Sequence, residues 1–205
     1  MKIVSIIKDS FQEFEGYLSL VLFCYNCNLA CERCYNLDNV IDSDNIIGDS
    51  IELLEKNISP IHDAVVFLGG EPTLWGNDLA ENLKFVKNKG LKTKVYTNGM
   101  LPKLIENINN KNLVNAYSVD LKCIKNCKEI IGVTITDEKY LKNVDKTIKN
   151  IISHNIPIEI RTTKWKNIEN IKAAIVEITT INHLIGYAFF SETCAGFTMY
   201  LCGKF

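Results

Sequence analysis

The run Cys27-Asn28-Leu29-Ala30-Cys31-Glu32-Arg33-Cys34 places three thiols at C-x3-C-x2-C spacing in one short stretch. An iron–sulfur cube of four irons usually takes four thiolates. Three local thiolates leave one iron without a protein ligand. An open metal position is where chemistry happens, just as catalytic zinc sites keep one position free. The other reading is a zinc knuckle, or a structural cluster closed by a fourth thiol. Cys24 is the candidate for that thiol, because Cys24-Tyr25-Asn26-Cys27 is itself C-x2-C. The rest of the chain weighs toward the open cluster.

Outward from this loop, apolar periodicity alternates between two lengths. Short runs at 18–23, 64–68, 93–97, 114–120, 156–162 and 183–190 read as strands. Helical patterns lie between them. Asp49 with Glu52 reads as a capping box before Ile51, Leu53 and Leu54. Asn77 is a candidate cap for a helix carrying Leu79, Leu83 and Val86, closed by Gly90. Pro102 suits the first turn of a helix with Ile105 and Ile108. Leu141, Val144, Ile148, Ile151 and Ile152 share one face of a longer helix, and Ile168, Ile171, Ile175 and Ile178 repeat the pattern.

Six strand–helix alternations, with the last helix absent, predict a parallel sheet with right-handed crossovers. Six units are too few for a closed eight-stranded barrel. The expectation is an α/β fold, an open (β/α)6 TIM-like partial barrel, spanning 1–190 with the cysteine loop at 24–36. Residues 191–205 fit no unit and read as an appended tail.

Composition narrows the setting. The chain has 205 residues, 47% hydrophobic and 23% charged, with net charge −1. It is ordinary globular sequence for one domain, with no basic face for nucleic acid. The longest apolar stretch, 18–24, is too short to span a membrane, and the start shows no signal peptide. Eight cysteines, four of them between Cys24 and Cys34, point to reduced cytoplasmic thiols and metal rather than a secreted disulfide scaffold. Asn-x-Ser at Asn57 is then an accident of composition.

In parallel α/β folds chemistry gathers at the carboxyl ends of the strands. The unusual residues fall there repeatedly: the cysteine loop, then Gly69-Gly70-Glu71-Pro72, Thr97-Asn98-Gly99, Asp120 with Lys122, Arg161-Thr162-Thr163, and Glu192. Such a rim describes a catalytic mouth and is hard to reconcile with a zinc knuckle. Gly-Gly is also plain turn chemistry, though glycine lets backbone carbonyls approach a ligand closely. Asn-Gly is often only a tight turn. Asp120 and Lys122 alternate on a strand and face the same way, so they pair or bind something. His62, His154 and His183 read as surface or satisfied residues, and Trp75 and Trp165 as packing on rim loops. Cys123, Cys127, Cys194 and Cys202 are expected as free or packed thiols, with a second metal as the alternative.

The cysteine spacing resembles the signature of radical S-adenosylmethionine (SAM) enzymes, with Tyr35 following the last cysteine where the family often has an aromatic residue before it. Phe67-Leu68-Gly69-Gly70-Glu71-Pro72 resembles the motif whose backbone and glutamate hold the SAM amino group. The resemblance implies a [4Fe–4S] cluster on Cys27, Cys31 and Cys34, with the fourth iron binding the amino and carboxylate groups of SAM. It implies a cofactor-binding set of Gly69, Gly70, Glu71, Thr97, Asn98, Asp120, Lys122 and Arg161. The stretches 114–122, 131–133 and 161–163, with Tyr96-Thr97-Asn98-Gly99, are similar to activating enzymes of glycyl-radical proteins. Cys34-Tyr35-Asn36 resembles the anaerobic ribonucleoside-triphosphate reductase activase branch. Some of these activases hold a monovalent cation with an aspartate where this chain has Tyr96. Lys164-Trp165-Lys166-Asn167 stands in place of a frequent Pro-Gly.

The implied activity is reductive cleavage of SAM to a 5′-deoxyadenosyl radical that takes a Cα hydrogen from a glycine of the partner reductase. A flavodoxin- or ferredoxin-type protein is the implied electron donor. Two alternatives stand: a small-molecule radical SAM enzyme such as a 7-carboxy-7-deazaguanine synthase, and a non-catalytic iron–sulfur or zinc protein.

Overall fold

The computed structural model describes residues 1–163, with two further strands, Ala188–Thr193 and Gly196–Leu201. The strands are β1 (Lys2–Ser10), β2 (Ser19–Cys24), β3 (Gly48–Asp49), β4 (Ala64–Gly69), β5 (Lys92–Thr97), β6 (Ala116–Asp120), β7 (Ile158–Thr163), β8 (Ala188–Thr193) and β9 (Gly196–Leu201). They form one sheet in the order β3-β1-β2-β4-β5-β6-β7-β9-β8. β2, β4, β5, β6 and β7 are parallel neighbours. This run is the expected partial barrel.

Both ends of the sheet differ from the periodicity. β1 pairs antiparallel with β2, and the two-residue β3 with β1. The sixth expected strand, 183–190, is described only from Ala188; as β8 it lies antiparallel to β9, which runs antiparallel to β7. Thus Gly196–Leu201, left outside any unit by the sequence pattern, is part of the sheet. The helix expected over Ile168–Ile178, together with Trp165, His183, Cys194 and Cys202, lies outside the described residues.

Parallel strands are covered on both faces and read as continuous apolar runs. Outward, Leu20, Leu22, Phe67, Val95, Val119 and Ile160 pack against the helices. These are α2 (Ser50–Asn57), α3 (Gly76–Asn88), α4 (Pro102–Asn109) and α6 (Asp137–Ser153), which follow α1 (Leu37–Ile41) and enclose the short α5 (Cys127–Ile131) in chain order. Leu79, Leu83 and Val86 of α3, and Val144, Ile148 and Ile151 of α6, are the buried stripes. Each such side chain contributes about 1.5–3 kcal/mol when fully buried. Inward, Val21, Val66 and Leu68 pack with Phe14, Phe23 and Tyr96.

Pro102 opens α4, and Gly90 follows α3 at φ +79°, a conformation glycine adopts without strain. Two expected caps do not form. Asp49 precedes α2, but its carboxylate accepts from Lys2 Nζ at 2.8 Å. α3 starts at Gly76, one residue before Asn77, without a side-chain cap.

On the concave face, Lys94 of β5 and Glu159 of β7 form a buried ion pair at 2.7 Å across β6. His62 is held between strands: Ser59 N–H donates to Nδ1 at 3.1 Å, and Nε2 lies 2.8 Å from the Lys8 carbonyl. It is a satisfied core residue, as expected.

Candidate active site at the carboxyl ends of the strands

The carboxyl ends of β2, β4, β5, β6 and β7 surround a cavity of about 420 Å³. Cys27, Cys31, Cys34, Gly69, Gly70, Glu71, Thr97, Asn98, Asp120, Lys122 and Arg161 all line it. The eleven residues expected from the sequence therefore meet in one place.

The cysteine loop is fastened by backbone. Gly70 N–H donates to the Cys24 carbonyl at 2.9 Å, and Glu71 N–H to the Asn26 carbonyl at 2.8 Å. A Cβ on Gly70 would lie 1.9 Å from the Asn26 oxygen, and one on Gly69, at φ +111°, 2.5 Å from Cys24 N. The glycines are thus required by contact between two chain segments, in addition to any approach of a ligand. Trp75 Nε1 donates to the Tyr25 carbonyl at 3.0 Å, tying the next turn to the same loop.

Glu71 is fully buried. Its Oε1 accepts from Thr73 N at 3.1 Å, from Thr97 Oγ1 at 2.8 Å and from Thr73 Oγ1, while Oε2 accepts from Asn98 N at 2.7 Å. Burial raises its pKa, and these donors oppose that rise. Each carboxylate oxygen offers about two acceptor positions. Oε1 is crowded by three donors, whereas Oε2 takes one and keeps about one position for anything else. Its evident work is to lock the Thr97-Asn98 turn beside β4. Asn98 Nδ2 in turn donates to Asn28 Oδ1 at 2.7 Å within the cysteine loop.

Asp120 and Lys122 pair at 2.8 Å. Burial works against the Lys122 charge, but Asp120 and the nearby Cys31 outweigh it and raise the lysine pKa. Arg161, beside Asp120 in register, lies 5.2 Å over the Tyr96 ring. Tyr96 OH donates to Glu13 Oε2 at 2.7 Å. Glu13, on the wall of the same cavity, was not expected. It comes from the connection between β1 and β2, and no local sequence signal places it there.

Burial pushes the Cys27 thiol up to about 11 and raises that of Cys31. Without a metal both are thiols, and ligation requires deprotonation. Cys24 is different. It is 0% exposed in the outer core, does not line the cavity, and has its Sγ 3.6 Å from Met1 Sδ. Among the described residues, no three His, Cys, Asp or Glu side chains converge on a single-ion site. A cube does not need such convergence, because each iron takes its own thiolate. Three soft donors on one wall, with no fourth cysteine there among the described residues, fit a cluster with one open iron.

The family model described as the Radical SAM superfamily matches residues 21–175. The chain belongs to the radical SAM superfamily. Members use a [4Fe–4S] cluster and SAM, so an enzyme is implied. The chain is 31% identical over 160 residues to a Methanocaldococcus jannaschii protein provisionally named a glycyl-radical enzyme activating enzyme, covering 77% of this chain and 66% of that protein. It is 30% identical over 140 residues to the 7-carboxy-7-deazaguanine synthase of the same organism, covering 67% and 54%. The chain thus spans between about half and two thirds of the length of these relatives. The solved structure of native anSMEcpe with bound AdoMet shares the fold at TM-score 0.52 and 17% identity, covering 80% of this chain and 49% of that one. Among the described residues, no helix is long and apolar enough to cross a membrane.

Proposed function

We propose that this radical SAM protein is a cytoplasmic activase of a glycyl-radical enzyme, with an anaerobic ribonucleotide reductase as its partner. Cys27, Cys31 and Cys34 hold the cluster, and a flavodoxin- or ferredoxin-type protein reduces it. When bound and reduced, the cluster supplies the electron that cleaves SAM. The residues of the chain bind and orient SAM and exclude water. The backbone at Gly69 and Gly70 and the remaining acceptor of Glu71 face its amino group. Thr97, Asn98, Asp120, Lys122 and Arg161 line the rest of its site.

One observation carries the reading. The cavity, about 420 Å³, is near the lower end of the roughly 300–1,000 Å³ typical of sites for one drug-sized ligand. On this reading SAM and the cluster share this one cavity, and the hydrogen to be taken arrives through its mouth. Tyr35, 83% exposed, stands at that mouth. A protein loop suits this geometry. Similarity to the deazaguanine synthase supports the small-molecule alternative.

Mixed anaerobically with the reductase, SAM and a reductant, the protein is expected to produce an electron spin resonance doublet on the partner. The doublet reflects coupling to the one α-hydrogen left on the radical glycine. Conversion of 6-carboxytetrahydropterin without a partner radical would instead establish the small-molecule reading.

Site placement has its own test. Asp120→Ala removes a charge-assisted contact and is expected to weaken SAM binding about tenfold with iron content unchanged. Lys122→Ala is expected to act in the same direction but more mildly. Calorimetric SAM titration with unchanged affinity in both variants would remove the strand end from the cofactor site.

A further inference from the structure

Beyond Asp120 the chain turns through 121–126 into α5. Across this turn Cys123 and Cys127 are joined as a disulfide, their Cα atoms 5.3 Å apart and both side chains 0% exposed. Their expected state was reduced, so the bond is a departure that calls for a role. α5 is a direct support of the cysteine loop. Ala30 N–H donates to the Ile131 carbonyl at 2.9 Å, and Glu32 N–H to the Ile130 carbonyl at 3.1 Å. A Cβ on Gly132 would lie 2.0 Å from the Ala30 oxygen, so the two backbones touch directly. On the strand side, Lys122 N–H donates to Tyr140 OH at 3.0 Å. The sulfur bridge therefore spans the joint between the strand end bearing Asp120 and Lys122 and the helix that holds the cysteine loop.

We propose that Cys123 and Cys127 form a reversible redox modification site, a dithiol–disulfide pair whose oxidation clamps α5 to β6 and thereby slows loss of iron from the cysteine loop. The inference rests on Cys27, Cys31 and Cys34 being the cluster ligands. The oxidant is a low-molecular-weight disulfide. One cysteine thiolate attacks it, breaking its sulfur–sulfur bond and releasing one thiol. The second cysteine displaces the other half as a second thiol. One protein disulfide forms, one small-molecule disulfide is reduced, and the two cysteine hydrogens leave with the released thiols. A dithiol reductant runs the exchange backwards.

Access comes from local opening. α5 has only five residues, and its preceding residue, Asn126, is left-handed and supplies no side-chain cap. Its first amides are held from outside, by Asp137: Asn126 N–H at 2.9 Å and Cys127 N–H at 2.8 Å. A helix this short has little stability of its own and opens at small cost. Opening exposes the buried pair, and the bridge limits how far α5 can then depart.

The anaerobically reconstituted holoprotein is treated with oxidised glutathione or with dithiothreitol, and the reagent is removed. Peptide mapping is expected to show a Cys123–Cys127 linkage in the first sample and two free thiols in the second. Iron release to a chelator is expected to be roughly fivefold slower in the oxidised sample. Cys127→Ala is expected to release iron at the fast rate after either treatment. Absence of the linkage, or equal release from both wild-type samples, overturns the proposal. A chain that loads no iron fails the cluster assignment instead. The clamp is then decided by thermal melting of the mapped apo forms: a higher midpoint in the oxidised form supports it, and equal midpoints overturn it.

Discussion

Serine at Cys27, Cys31 or Cys34 is expected to reduce both iron content and SAM cleavage to background, whereas Cys24→Ser keeps both. The first three thiols share one cavity wall. Cys24 lies in the outer core beside Met1, with burial raising its pKa far above the usual thiol range. A hydroxyl there costs about 1–3 kcal/mol of stability through burial of a polar group, but removes no ligand. Iron analysis, visible absorbance and 5′-deoxyadenosine measured without oxygen distinguish the cases. Loss of the cluster in Cys24→Ser would mean a four-thiol site and no open iron.

Gly70→Ala is expected to be severely damaging although it alters no polar side chain. The added Cβ would meet the Asn26 carbonyl oxygen at 1.9 Å. That oxygen belongs to backbone already accepting from Glu71 N–H, so neither partner can swing away. Overpacking of this kind reaches about 3 kcal/mol, a fall of roughly 6–12 °C in melting temperature for a chain of this size. Loss of iron is expected alongside, because the clash lies next to Cys27. Gly90→Ala is the control: its φ is +79° but nothing stands within 4 Å. Only left-handed strain remains there, about 1–2 kcal/mol. Equal melting shifts for the two variants would show that the close backbone approach at Gly70 is not what fixes the cysteine loop.

β2 and β4 were legible because they are buried on both faces and read as nearly unbroken apolar segments, whereas β5 and β7 carry Lys94 and Glu159 among their apolar residues. β1 was not, since Ile3 and Val4 are buried while Lys8 and Asp9 are exposed, a pattern set by what covers each end rather than by alternation. β9 belongs to the sheet through its ladder with β7, a long-range pairing that no local signal announces. The capping box failed because Lys2, distant in sequence, competes for the Asp49 carboxylate.

The site was more legible than its supports. Thiols, glycines and charges at strand ends are conspicuous against apolar runs. Glu13 was invisible because its place depends on how the β1–β2 connection folds across to Tyr96. Gly69 and Gly70 were singled out for the approach of a ligand, and a further reason for glycine at both lies behind the cavity wall, in Cys24 and Asn26. Likewise the pairing of Cys123 with Cys127 follows from the turn into α5, not from their spacing.

Hydrogen transfer from the partner tests the central claim most directly. The reductase is prepared with α-deuterated glycine and mixed anaerobically with this protein, SAM and a reductant. The account predicts 5′-deoxyadenosine carrying one deuterium, formed together with a glycyl radical signal. That signal is collapsed from the doublet of the unlabelled reductase to a single narrow line, because the α-position left behind carries deuterium. Replacing the radical glycine of the reductase by alanine should abolish deuterium transfer and the glycyl signal while reductive SAM cleavage continues. Deuterium-free 5′-deoxyadenosine from the labelled wild-type reductase, with no glycyl radical signal, would contradict the assignment of a protein glycine as the substrate.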